Sequence, residues 1–435
     1  MPISTIGSNS LNQTSDLTIN GQTVGKGGGN VATNTVHGVS ALQANTTGSN
    51  ATVVGYQAGY TTTGGLRQSF FGSQAGYYMT DENTSVGYRA LYGASGSTGY
   101  YNVAVGRYAL NVLTSGVNNV AIGDQALQAN TTASNNTAVG YQAGYANTTG
   151  AGLVAVGRLA LNTNTTGSSN TALGHVALLE NTTGSYNTAV GQEALRLNTT
   201  ADSNTAVGYQ ALYTNTATQN TAIGTQAGYS NTTGVNNAFI GRIAGYAVTT
   251  GSRNTCVGDN AGSYSTDLVT GSNNTYVGFR ATASSSSVSN ELVVATTATF
   301  GKGANTGYIF GSGGVYQGNN SSSWSTTSDI RLKKNVVDNT DGLDKIVQIR
   351  VRNFEYRTAE EVTELPKHTV IDKQGVQLGV IAQELQEILP DCVKEQSTGV
   401  ISVDSDNIFW YMVNAIKDLK AELDTVKAEL AALKG

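Results

Sequence analysis

A short motif copied along most of the chain restricts its possible folds more than any other feature of the sequence. A glycine recurs at Gly38, Gly55, Gly72, Gly87, Gly106, Gly123, Gly140, Gly157, Gly174, Gly191, Gly208, Gly224, Gly241, Gly258 and Gly278. Ten of the fourteen intervals are 17 residues and the others are 15, 19, 16 and 20. The 15 and 19 are adjacent and sum to two periods, so a local slip is absorbed by the next copy. The consensus is NTAVGxxAL followed by xxNTTGSx. The residue before the glycine is apolar in fourteen of fifteen copies, His37 being the exception, and the residue three after it is Ala in all fifteen, from Ala41 to Ala281. A small side chain held at one position of every copy means that all copies share one environment, with neighbouring backbones in close approach.

Position four after the glycine is Leu in eight copies and Gly in six, and five of those glycines precede Tyr, as in Gly59-Tyr60 and Gly144-Tyr145. The expectation is that the aromatic ring fills the space of the missing Leu. Turns at Gly-x-x and at Asn-Thr-Thr-Gly, each beside a strand of about four residues, make one copy a coil of a β-roll or β-solenoid. Each coil carries only about three apolar side chains, two of them small, which is thin for a closed core, so several chains are expected to share it. At about 4.8 Å per coil, fifteen coils give a shaft of roughly 70 Å. In its NTAVG-x-x-A element the repeat resembles the head repeats of trimeric adhesins of the YadA type, although that family's usual period is shorter.

Composition excludes several alternatives. Only 12% of residues are charged, Gly supplies 53 of 435, Pro 3, and net charge is -5. Disorder driven by charge, collagen, and nucleic-acid binding through a basic stripe are all disfavoured. No apolar run approaches the 18 residues of a membrane helix, and Met1 to Asn30 lacks the pattern of a signal peptide. The chain therefore reads as soluble, with no membrane insertion and no general secretory export. Cys256 and Cys392 are too few for a disulfide framework, and His37, His175 and His368 have no metal-ligand spacing. No metal and no cofactor is expected. GKGGG at Gly25–Gly29 lacks the spacing of a phosphate loop, and the many Asn-Thr-Thr sequons read as turn chemistry. Cys256 stands where other copies have Ala and reads as a buried small group. Acidic residues of 1–327 are scattered singly, which disfavours a glycosidase pair in the shaft.

Charge divides the chain. Residues 1–327 hold 10 Lys/Arg and 10 Asp/Glu, whereas 328–435 hold 14 and 19. The boundary follows the linker-like stretch GSGGVYQGNNSSSWSTT. Beyond it come SDIRLKKNV (Ser328–Val336), GLDKIVQIRVRNFEYR, GVIAQELQEILPDCV (Gly379–Val393) and VDSDNIFWYMVNAIKDLKAEL. In this order, over nearly all of 328–435, the region resembles the endosialidase-type intramolecular chaperone domain of phage tail fibres and tailspikes. One departure is Val351-Arg352 before Phe354, where the family often has Pro; it should matter for packing more than for activity.

The resemblance implies a domain that trimerises, guides the preceding β-structure into register, and then cleaves its own chain. It places the cut between Thr327 and Ser328, with Ser328 as nucleophile and Lys333 as base; Lys334 is the rival. A Ser hydroxyl needs an adjacent base, and Lys serves only where desolvation lowers its pKa from about 10.4. From spacing alone, a Ser and a Lys five apart are equally a solvated loop.

The chain closes on a heptad seam, Phe409, Met412, Ile416, Leu419, Leu423, Val426, Leu430 and Leu433, spaced 3, 4, 3, 4, 3, 4, 3. With Phe409 at position a, Glu422 and Glu429 fall at g, and Lys427 and Lys434 at e of the next heptad, as in parallel coiled coils. A helix packing on its own domain is the alternative. The seam does not choose between two and three strands; three comes from the resemblance.

These readings combine into a mainly β protein: a trimeric β-roll or β-solenoid shaft of 17-residue repeats, then a small α/β chaperone domain ending in a coiled-coil helix. The segments are 1–30 for tail attachment, 31–282 for the shaft, 283–327 for the neck or distal tip, and 328–435 for the chaperone, with the coiled coil over 407–434. The expected function is that of a homotrimeric phage tail fibre, made in the host cytoplasm and carried in the virion tail. Its partners would be a tail or baseplate protein and a host surface glycan or protein. Tyr308, Phe310, Tyr316 and Trp324 are receptor-binding candidates, because cleavage would leave them at the mature tip. Outward positions after the glycine, such as Tyr56, Arg107, Asp124 and Arg242, are either a glycan stripe or solvated turns. The alternatives are a polysaccharide-degrading tailspike and a bacterial trimeric surface adhesin; the adhesin would need an export signal and a membrane-anchoring barrel.

Overall fold

The computed structural model describes residues 16–310, 330–365, 370–371, 373–395 and 399–434. The chain divides into two compact units, Met1–Val288 and Ser289–Gly435, each with its own architecture. The protein is mainly β and the first unit is a β-solenoid. Strands β1 (Leu17–Ile19) and β2 (Gln22–Gly25) form an antiparallel hairpin, and β2 lies antiparallel on β3 (Thr35–Gly38). Antiparallel pairing there occupies an edge that would otherwise extend the sheet. From β3 the chain runs through one parallel strand per coil to β17 (Thr275–Val277), each in register with the strand one coil earlier: Thr137 pairs with Val154, Ala138 with Ala155 and Val139 with Val156. Strands β4 (Thr52–Val54) to β17 are three residues long, shorter than the four expected, because the landmark glycine turns the chain at once. A two-residue strand, β18 (Ala281–Thr282), follows.

The middle residue of each strand points into the coil and is buried, while the first and third point out. The coil interior is closed by this Ala, by the Ala three after the glycine and by the Leu at position four; Ala138, Ala160 and Leu161 are fully buried. Two ladders of buried asparagines complete it. In the first, the Asn before the strand accepts a backbone N–H from the next coil, as Asn136 N donates to Asn119 Oδ1 at 3.1 Å and Asn204 N to Asn187 Oδ1 at 3.0 Å. In the second, the Asn of Asn-Thr-Thr donates from Nδ2 to Oδ1 of its counterpart one coil earlier, as Asn164 does to Asn147 at 2.9 Å and Asn181 to Asn164 at 2.7 Å. The same amide caps its own turn, with Asn164 Nδ2 also donating to Gly167 O at 2.9 Å. The sequon asparagines Asn130, Asn147, Asn164, Asn181 and Asn198 are fully buried. In the folded coil these amides are bonded inside and present no acceptor for a sugar. The expectation of a core shared between chains is therefore corrected: polar ladders close each coil with the little apolar volume it has.

The interval of 16 residues has a cost that can be seen. Asn215 turns its amide to Ala217 O at 2.6 Å, and Asn198 Oδ1 one coil earlier is left buried without a partner.

Backbone conformation explains two sequence choices. At Gly140 φ is +139°, and an added Cβ would lie 2.5 Å from the carbonyl oxygen of Gly157 in the next coil, so the landmark position excludes any side chain. At position four, φ is near +50°, as in Leu127 (+48°) and Leu161 (+50°). A left-handed Leu costs roughly 1–2 kcal/mol, and full burial returns roughly 1.5–3 kcal/mol. Gly meets no such cost, which is why Leu and Gly alternate there.

The space released by Gly is not filled by the following Tyr. Tyr213, Tyr229 and Tyr246 stack outside the coil at 5.1 Å, as do Tyr60 and Tyr77. The filler is a Phe at the middle strand position where other copies have Ala. Phe70 and Phe239 are fully buried, and an added Cβ on Gly228 or Gly245 would fall 2.4 or 2.2 Å from the ring of Phe239. A ring directed inward from the strand reaches that volume; the Tyr, one residue past the turn, points outward.

In the second unit β19 (Leu292–Ala295) and β21 (Gly307–Phe310) are parallel neighbours, with β20 (Thr299–Phe300) between them in sequence. Glu291, 1% exposed, accepts Gly303 N at 2.7 Å. The α/β part holds α1 (Leu343–Ile346), β22 (Arg352–Phe354), β23 (Gln377–Gly379), α2 (Ala382–Ile388), β24 (Val393–Glu395), β25 (Ile401–Val403) and α3 (Ser405–Lys434). β22 pairs antiparallel with β23, and β24 with β25. Its core is Leu385, Leu389, Cys392 and Tyr411, with Ile346, Val380, Val403 and Ile408 against them.

Replacing Phe239 by Ala should destabilise the shaft by about 3–5 kcal/mol through the cavity it opens. Adding Gly228→Leu and Gly245→Leu restores the consensus Ala-plus-Leu coil and should recover most of the loss, read by thermal unfolding in circular dichroism. No recovery would mean that ring and glycines are not complementary.

Candidate functional site

The residues singled out for chemistry fall at the start of the α/β region. Thr327 and Ser328 lie outside the described residues, as do Tyr316 and Trp324. Description resumes with a 3₁₀ turn, Ile330–Leu332, after which Lys333 N donates to Ile330 O at 3.1 Å. Lys333 and Lys334 are both exposed. Around them Ile330, Leu332, Val336 and Val337 are 67%, 76%, 64% and 84% exposed. Four aliphatic side chains bracketing two lysines in water make a surface that gains stability once covered.

Downstream of the lysines the chain is tied to α3 by side chains outside the heptad seam. Asn414 Nδ2 donates to Asn339 O at 2.8 Å and to Asp341 O at 3.2 Å. Asp418 Oδ2 accepts Leu343 N at 2.9 Å and so caps the first turn of α1. Asn407 Nδ2 donates to Asp391 O at 2.9 Å, and Tyr411 Oη donates to Asp391 Oδ2 at 2.8 Å. Burial, then the Asp391 carboxylate, pushes the Tyr411 phenol up to about 12. Residues 407, 411, 414 and 418 recur at helical spacing and make the face that α3 turns to its own domain. Sequence reasoning missed this face; the signal was a second stripe at i, i+4, i+7 and i+11, polar and so hidden beside the apolar seam.

The seam lies elsewhere on the helix. Phe409, Met412, Ile416, Leu419, Leu423, Val426, Leu430 and Leu433 are between 46% and 84% exposed, while the buried residues of α3 are Tyr411 and Ala415. The single chain leaves the whole seam unpacked.

Arg352, where the resemblance leads one to expect a different local sequence, reaches Glu384 of α2 with two bonds, Nη2 to Oε1 at 2.7 Å and Nε to Oε2 at 3.2 Å. That bidentate bond, followed by the charge of Arg352, holds the Glu384 carboxyl below its usual range. Lys394 and Asp404 similarly join β24 to the start of α3 at 2.6 Å, which lowers the Asp404 pKa. Cys392 is buried, and burial pushes its thiol up to about 11, while Cys256 in the shaft is pushed up to about 12. Neither has the ionised character of a nucleophile.

Of the tip candidates, Tyr308 and Phe310 lie on β21 with ring centroids 6.0 Å apart, and Lys302 Nζ sits 4.9 Å from the Tyr308 centroid. Among the described residues there is no group of three His, Cys, Asp or Glu able to hold a metal, and no helix is long and apolar enough to cross a membrane.

Residues 328–394 match the family model described as the chaperone of endosialidase. The C-terminal region is thus similar to an intramolecular chaperone domain. The curated protein myelin regulatory factor homolog 1 of Caenorhabditis elegans is 28% identical over 113 residues, covering 24% of this chain and 12% of that protein. The chain therefore spans about an eighth of the length of that relative.

A folded-state pKa below the ordinary value makes Glu384 stabilising above pH 4.5. The contribution is lost as pH falls through the lowered folded value. In full-length protein carrying Trp324→Phe, acid unfolding followed by Trp410 fluorescence should begin below pH 4.5, and Glu384→Gln should flatten that part of the profile. An unchanged acid limb in the variant would show that the ion pair does not couple to folding.

Proposed function

We propose that the protein is a homotrimeric phage tail fibre whose C-terminal domain assembles it and then severs itself before Ser328. The observation that carries this reading is a chaperone-of-endosialidase match at 328–394 directly behind a long repetitive β-solenoid. A repetitive parallel sheet has many near-equivalent registers, so a domain that aligns chains before the shaft zips up answers a physical need. The seam of α3, from Phe409 to Leu433, supplies the trimer contact, with Glu422 and Glu429 facing Lys427 and Lys434 of neighbouring chains.

Ser328 is the nucleophile and Lys333 the base. Because Lys333 is exposed in one chain, assembly supplies its desolvation by covering Ile330, Leu332, Val336 and Val337. The tie from 339–343 to Asn414 and Asp418 then couples helix association to the cutting segment. Residues 1–30 hold the tail or baseplate. The tip, with Tyr308, Phe310, Tyr316 and Trp324, meets a host surface glycan or protein through aromatic faces.

Denaturing intact mass of wild type should show fragments ending at Thr327 and beginning at Ser328, absent from Ser328→Ala, with a trimeric large fragment by native mass. A full-length wild-type trimer would reject self-cleavage and leave the domain as a permanent cap. Replacing Tyr308, Tyr316 and Trp324 together should abolish adsorption to host cells without altering the trimer; undiminished adsorption would reject the tip as the receptor site.

A further inference from the structure

The outward face of the parallel sheet is unlike the rest of the shaft. Two columns of side chains run along it, the first and third residues of each strand. The third-residue column includes Val54, Phe71, Val86, Ile122, Leu173 and Ile240, between 37% and 46% exposed. The first-residue column is Thr or Ser, replaced by Val103, Val120, Val154 and Ala238. From Thr35 to Val277 neither column contains Asp, Glu, Lys or Arg, and His37 at the first coil is the only titratable group. The charged pairs of the shaft lie outside these columns, after the glycine, as in Arg107 with Asp124 and Arg242 with Asp259.

We infer that this face is the shaft's own interface, covered in the assembled protein by two further copies of this chain lying parallel and in the same axial register. The inference rests on the homotrimeric reading and assigns the surface that reading needs along the shaft. Three observations select a copy of the chain as the occupant. An apolar strip of fourteen coil intervals at about 4.8 Å is some 65 Å long, and only a partner with the same repeat can stay matched to it over that length. With two columns about 7 Å apart, its area is on the order of 800 Å² per chain, the size of a stable interface side. The strip also has no charge to complement, so it fits an identical uncharged face and not an ionic partner. The core that one coil closes with small residues and asparagines is thereby backed by an apolar layer between chains, without any side chain being shared inside a coil.

The assignment is tested by cross-linking in a Cys256→Ala, Cys392→Ala background, with Cys introduced singly at Val54, Ile240 or, as a control in the turn remote from the strand, Thr166. A bis-maleimide should give covalent dimers from Val54→Cys and from Ile240→Cys and none from Thr166→Cys, because identical residues at one height face each other only across a parallel, in-register interface. Native trimers that cross-link at Thr166→Cys or at none of the three overturn the assignment and leave the homotrimeric reading standing. A native mass of one chain overturns both.

Discussion

Everything in the first unit depends on how closely one coil lies on the next. At each landmark glycine the backbone of one coil passes so near the following one that no Cβ fits, with only 2.3–2.5 Å left to the next carbonyl at Gly123, Gly140 and Gly157. That contact holds the parallel strands in hydrogen-bonding distance, and every other feature is a consequence. The coil interior is too narrow for much beyond Ala and Leu, and the remaining backbone donors and acceptors are satisfied by side chains that repeat at the same height. Asn suits both ladders because one short amide can donate and accept along the axis at once.

The same spacing explains where the repeat can vary. A Phe enters a coil only where adjacent copies have Gly at position four, and a turn shortened by one residue leaves Asn198 without its axial partner. Variation is free at outward turns, where Tyr, Arg and Asp collect. It is suppressed on the outward sheet face, where charge is absent over fifteen strands.

The C-terminal region follows a different logic. It has a small core around Leu385, Leu389, Cys392 and Tyr411, and a large share of its aliphatic side chains is exposed in one chain. Helix α3 carries two faces with separate tasks: a polar one that ties down residues 339–343 and Asp391, and an apolar seam that the domain itself does not use. A domain built this way is stabilised by association, and association reaches the segment after Lys333 through Asn414 and Asp418.

The 17-residue period, the invariant Ala and the Gly-or-Leu choice were enough to read a β-solenoid from the sequence, because a repeat must place every copy in one environment. The heptad of α3 and the motifs of 328–394 were legible for the same reason: period and spacing are one-dimensional properties. Direction was not. Whether the Tyr after position four points into the coil or away from it depends on one backbone dihedral, and the sequence reading had it filling a space that Phe70 and Phe239 occupy. Nor could it tell that the sequon asparagines are interior, or that the apolar residue before each glycine faces out. The linear order determined the repeat and its chemistry; only the folded coil decided which side of the backbone each side chain leaves by. A shift of one residue along a strand exchanges inside for outside.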